Sequence, residues 1–250
     1  MLKESVLTFD VDWVPDFVID FVIEQLIEKN IRSTWFVTHD SPSIRKIIEM
    51  KDLFEIGLHP NFLPTSTHGK NEDEVMNYFS KFIPNTKLIR THALFQSTVL
   101  LRNLIQNYKI EIDVSLLLPH TVNLEPHYVY LGENLPKLIR VPYFWEDDIE
   151  MYNPKKSWNL DPTWFNLKGL KIFDFHPIHI YLNSNDMKNY ELIKKQGELN
   201  NITKHELNNY INKTTKGVND FFNELCENIS KNQKESYTIS EIVKKWNYGN

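Results

Sequence analysis

The chain has 250 residues, 41% of them apolar, a formal net charge of −5 and a single cysteine. That length supports one sizeable α/β core, the charge leaves no basic face for nucleic acid, and Cys226 alone excludes an internal disulfide or a zinc site built on cysteines. No apolar run reaches membrane-spanning length and no signal-peptide core follows Met1, so the expectation is a cytoplasmic, enzyme-sized single domain over residues 1–250.

Residues 6–9 read as a short apolar strand, followed by Asp10 and Asp12. Side chains alternate along a strand, so both carboxylates are expected on one side of its C-terminal end. Two like charges held together persist where a cation or a shared proton offsets them. The ordinary alternative is a solvated pair with one Asp capping the next helix. An apolar stripe over 16–29 predicts a helix, and the aromatic and β-branched residues of 32–39 predict a strand. Ser41-Pro42 reads as an N-cap with proline behind it, opening a helix to Met50. Residues 53–58 are a third strand, ending at His59-Pro60-Asn61. A polar loop then runs to Asn71, which caps a helix to Phe82.

Residues 87–92 give a fourth strand, Thr98–Tyr108 a helix and 110–116 a fifth strand. A sixth, 138–144, is broken by Pro142, and 170–179 is a seventh. Two irregular inserts, 119–136 and 146–168, are rich in Tyr, Trp, Asn and Pro. A long helix is predicted over 203–230, then a short strand and helix over 237–246. Strands alternating with helices predict an α/β fold, a distorted (β/α) barrel of about seven parallel strands.

Chemistry-bearing side chains recur at strand ends: Asp10 and Asp12, His59, Arg90 and His92, then His176 and His179. A barrel gathers its strand C-termini on one rim. Aspartate and neutral histidines suit a zinc-like ion that keeps one position for water. A second carboxylate could take that water's proton, a histidine opposite could protonate the leaving group, and Arg90 would hold the base ionised.

The segments TFDVDW, FEIGLHPNF, IRTHAL and FDFHPIHI, in that order, resemble the successive motifs of the polysaccharide deacetylases, carbohydrate esterase family 4. The resemblance covers nearly the whole chain, including the ending YTISEIVKKW, and leans toward a divergent branch seen in surface-polysaccharide and O-antigen biosynthesis clusters. It implies Asp10 as catalytic base, Asp12 and His59 as metal ligands, Arg90 as partner of the base and His176 as acid, with His179 the rival. The family's second ligand histidine would fall four residues after His59, where this chain has Leu63. His68 is the expected replacement, with His92 and Asn61 in reserve. Of the third motif only the arginine carries over.

The activity so implied is removal of an N-acetyl or related acyl group from a sugar, free or carrier-linked, by a divalent metal, Zn²⁺ foremost. His92, Trp145 and His179 are expected on the substrate side. Two other readings stand beside it: a metal-free sugar binder using Tyr128, Tyr130, Trp145, Trp158 and Trp164, and a cyclic-amide or ureide hydrolase on the same barrel. No orienting partner for His176 is evident in the sequence.

Overall fold

The computed structural model describes residues 4–231 and 235–248; of the chain's predicted beginning, Met1 to Lys3 lie outside them. The strands are β1 (Ser5–Asp10), β2 (Ser33–Val37), β3 (Phe54–Leu58), β4 (Leu88–Ile89), β5 (Ile112–Asp113), β6 (His127–Val129), β7 (Leu138–Arg140), β8 (Trp145–Glu146) and β9 (Lys171–Phe175). They form one sheet in the order β6-β7-β5-β4-β3-β2-β1-β9-β8. Every pairing is parallel except the short β6–β7 hairpin, which the sequence did not reveal. The helices are α1 (Asp16–Glu28), α2 (Pro42–Glu49), α3 (Glu72–Ser80), α4 (Thr98–Tyr108), α5 (Asp147–Tyr152), α6 (Pro177–Leu182), α7 (Lys188–Lys194), α8 (Lys204–Asn208), α9 (Val218–Lys231) and α10 (Ile239–Tyr248).

β1, β2 and β9 are buried along their whole length, as strands covered on both faces must be. Phe9 stacks on Trp35 at 4.3 Å and meets Phe175 and Phe222 at 6.1 and 6.0 Å, which joins β1, β2, β9 and α9 in one core. Of the strand predicted over 138–144 only the first half is strand, as β7, and β8 follows just beyond its end. Pro142 cannot donate a ladder hydrogen bond, so the strand breaks there. β7 pairs with β5 and β8 with β9. Between them Tyr143 N–H donates to Leu116 and Phe144 N–H to Ile172. The same stretch of chain thus carries both flanks of the curled sheet, and the distorted α/β barrel is the observed architecture. Among the described residues no helix is long and apolar enough to cross a membrane.

Three predicted boundaries move, each for a local reason. β9 ends at Phe175, not at 179, because Pro177 occupies the first turn of α6 with His176 as its N-cap. β1 ends at Asp10, and Asp12 and Trp13 take left-handed backbone at φ 45° and 53°. The two carboxylates therefore converge through a turn, not through strand alternation. The helix predicted over 203–230 is two helices, α8 with a Thr203 capping box and α9. Gly217 sits just before α9, where a Cβ would collide with the Asn183 carbonyl. The predicted strand at 237 is irregular chain leading into α10.

Candidate active site

Three side chains from three strand ends meet at the rim. Asp12 Oδ1 lies 3.3 Å from His59 Nε2 and 3.1 Å from His92 Nδ1, and the two ring nitrogens are 3.3 Å apart. Ligand atoms about 2.0–2.1 Å from a tetrahedral zinc stand about 3.3 Å from one another, so this triangle has the right edges. His59 Nδ1–H donates to the Arg90 carbonyl at 2.9 Å. That bond leaves Nε2 as a lone pair facing Asp12, the tautomer a ligand needs. Asp12 Oδ1 is buried and makes no hydrogen bond of good geometry. Burial alone would raise the Asp12 carboxyl, but the close rings of His59 and His92 outweigh it and hold it well below the usual range. An ionised, unpaired oxygen beside two ring nitrogens fits a divalent cation.

Left-handed backbone recurs where this rim is built. Ala93 and Leu94, after β4, have φ of 54° and 52°, in a short turn that begins at His92. Like the turn at Asp12, it places a site residue at some cost in backbone strain, a cost that surrounding contacts must offset.

Behind the triangle lies Arg90, fully buried between the rings of Phe36 and Tyr143, each centred 4.4 Å from the guanidinium carbon. Its Nη1 donates to Asp10 Oδ1 at 2.9 Å and to Asp174 Oδ1, and Nη2 donates to Thr8 Oγ1 at 3.0 Å. Burial opposes the arginine's charge, but Asp10 and then Asp174 overcome it, so it stays a cation. Asp174 is pushed up to about 8, by burial first and against the pull of Arg90. Two buried carboxylates on one guanidinium cannot both carry charge cheaply, and Asp174 is the one inclined to keep a proton. The other oxygen of Asp10 lies 3.6 Å from His59 Nε2, so the base candidate touches the triangle.

Across the site stands His176. Its backbone N–H donates to Asp147 Oδ2 at 2.8 Å and its Nδ1–H to Oδ1 at 2.7 Å. Nε2 is thereby aimed at the site, 3.8 Å from Asp12 Oδ2. Burial alone would strip the ring of its proton, but the Asp147 carboxylate outweighs it and raises His176 well above its ordinary value. Asp147 is the orienting partner that sequence reasoning missed. The only signal is the run Glu146-Asp147-Asp148 straight after the broken sixth strand, in a stretch whose composition reads as an irregular insert. Glu146 lies alongside, accepting from the Tyr143 hydroxyl, and burial followed by its neighbour Asp148 keeps it well above the carboxylate range.

The structure brings Asp10, Asp12, His59, Arg90, His92 and His176 together and leaves the other expected residues apart. His68 is not at the triangle: its Nδ1 accepts the Asn61 N–H at 3.1 Å, and its ring stacks on Tyr78 at 4.8 Å. Burial pushes it down to about 4, so it is a neutral prop for the loop after β3. Asn61 Oδ1 is taken by the Leu63 N–H. His92 completes the triangle because its backbone N–H donates to the Pro60 carbonyl just beyond β3, which sets its ring beside that of His59, a geometry that spacing does not encode. Trp145, expected near substrate, is 2% exposed and stacks on Phe221 at 4.6 Å inside the core. His179 is one turn into α6, its Nδ1 3.1 Å from Ser184 Oγ and its ring 5.7 Å from that of His176. It flanks the acid candidate from a helix, not from the opposite face of a strand.

The family described as WbmS-like polysaccharide deacetylase matches residues 7–194. Among solved structures, WbmS of Bordetella bronchiseptica, assigned as a polysaccharide deacetylase involved in O-antigen biosynthesis, is 31% identical over 90% of each chain, with a TM-score of 0.76. The peptidoglycan deacetylase PdaC of Bacillus subtilis aligns over 97% of this chain and 90% of its own, at 11% identity and a TM-score of 0.46. No curated protein matches the chain. The family match runs from β1 through α7 and takes in every residue of the site, so the chain belongs to the WbmS-like polysaccharide deacetylases.

Proposed function

We propose that the protein is a metal-dependent deacetylase that removes an N-acetyl or related acyl group from a sugar, in the biosynthesis of a surface polysaccharide. The observation that carries this reading is the triangle of Asp12, His59 and His92, with edges of 3.1–3.3 Å, set between Asp10 and the Asp147-bound His176. These three residues would hold the metal, with zinc the ion their chemistry suits best. Bound there, zinc supplies a Lewis acid that polarises the acyl carbonyl and acidifies water.

The chain's own groups do the rest. Asp10, fixed by Arg90, takes the proton of the attacking water. His176 gives its Nε2 proton to the departing sugar nitrogen, and Asp147 holds the ring in the one orientation that permits this. Arg90 is too deeply buried to touch a sugar, and its charge is used on Asp10 and Asp174.

The test is metal analysis of chelator-free protein followed by acetate release from a panel of N-acetylated sugars, free and nucleotide-linked. One zinc per chain and zinc-dependent acetate release are expected. Stoichiometric zinc with no acetate from any acylated sugar, but turnover of a cyclic amide or ureide, would replace the substrate class. Sugar binding by protein that takes up no metal would replace the enzyme reading itself.

A further inference from the structure

The two histidines of the triangle are held in different ways. The ring of His59 is fixed by its Nδ1–H bond to the Arg90 carbonyl and is almost wholly buried. His92 turns Nδ1 toward Asp12 and His59, and among the described residues nothing hydrogen-bonds its Nε2. Its side chain is 24% exposed, and what ties it from outside the triangle is the backbone bond to the Pro60 carbonyl. A ligand histidine is usually oriented by a hydrogen bond on its second nitrogen. Without one, packing has to stop the ring from turning.

Trp13 supplies that packing. Its indole meets the His92 ring edge-on, at 5.2 Å and 85°. On its other side it lies 5.2 Å from the ring of His68, which itself stacks on Tyr78. A row of rings thus runs from α3 to the His92 corner of the triangle. The backbone is pinned as well: the Trp13 N–H donates to Oγ1 of the fully buried Thr38 at 3.1 Å. Trp13 also holds its φ of 53°, a conformation that suits glycine and strains a bulky residue. The turn by itself asks for glycine, so the contact with His92 is what the indole adds.

We propose that Trp13 is the positioning residue of His92. Its indole holds the imidazole with Nδ1 aimed at the metal, in place of the hydrogen bond that does this for His59. The role rests on the metal reading of the triangle given above.

The experiment measures zinc affinity by chelator competition, and the unfolding midpoint of the zinc-free protein, for the parent, Trp13→Gly, Trp13→Phe and Trp145→Ala. Trp13→Gly removes the indole and relieves the backbone, while Trp13→Phe keeps a ring beside His92. Trp145→Ala loosens the core at Phe221, away from the triangle. Zinc affinity should fall about 10–100-fold in Trp13→Gly, the range for lost support of a ligand. It should stay within about three-fold of the parent in the other two, whatever the order of their unfolding midpoints. Affinity of Trp13→Gly within about two-fold of the parent would overturn the role, because His92 would then need no support. An equal loss in Trp145→Ala would overturn it too, as general loosening. Should Trp13→Gly fail to fold, cobalt(II) titration of the parent and Trp13→Phe decides. Bound cobalt quenches a nearby indole, so the fractional quench of tryptophan emission should be smaller in Trp13→Phe. An equal fraction in both would place the indole away from the bound ion and overturn the role. A parent protein that binds neither zinc nor cobalt would overturn the metal reading and this role with it.

Discussion

Asp147→Asn is the sharpest probe of the division of labour in the site. Asp147 is fully buried and contacts His176 twice, at the backbone N–H and at Nδ1. The substitution keeps the size and one acceptor but removes the charge that favours the imidazolium. At an effective dielectric near 20, two unit charges about 4 Å apart attract by about 4 kcal/mol, which is about three powers of ten. That lies inside the ~10²–10⁴-fold that a general acid contributes. The expected outcome is a fall in kcat of about 10³-fold, with KM and zinc content near those of the parent, since Asp147 touches no residue of the metal triangle. The assay is steady-state acetate release with metal analysis on the same preparation. A kcat within three-fold of the parent at full zinc occupancy would refute the reasoning, because the acid would then not depend on Asp147. Loss of zinc would refute it differently, by showing that Asp147 supports the ligands instead.

Exchange at the two candidate ligand histidines separates geometry from spacing. His92→Ala should lose zinc affinity by at least about 100-fold, while His68→Ala should keep its zinc and lose about 1–3 kcal/mol of stability through the stacked ring, both read by metal titration and denaturant unfolding. Arg90→Met should unfold more easily by about 3–5 kcal/mol, because Asp10 and Asp174 are left facing each other without a cation; a midpoint equal to the parent's would show the pair to be neutral in the fold. Trp145→Ala should cost about 3–5 kcal/mol and leave sugar affinity per folded molecule unchanged, and a selective loss of sugar binding would return Trp145 to the substrate side.

Much of this protein is legible in one dimension. The continuous apolar run of β1, the Ser41-Pro42 and Asn71 helix starts and the alternation of strands with helices are local patterns, and they specify an α/β barrel because periodicity and capping act within a few residues. The motif residues Asp10, Asp12, His59, Arg90 and His176 are legible for a related reason: each ends a parallel strand, and parallel strands bring their C-termini to one rim whatever the loops between them do. What the sequence could not show depends on how the chain folds back between those strands. The third corner of the triangle was decided by the bond from the His92 N–H to the Pro60 carbonyl, which sets its ring beside that of His59, while the stacking of His68 on Tyr78 draws the His68 ring away. The partner of His176 was decided by the break at Pro142, which delivers Asp147 from the sixth strand to the seventh, 29 residues on. Spacing along the chain reports reach, and a flexible loop can reach many places; only packing selects one of them. The identity of a strand-end residue is therefore determined by sequence, whereas its partner across the rim is determined by tertiary structure.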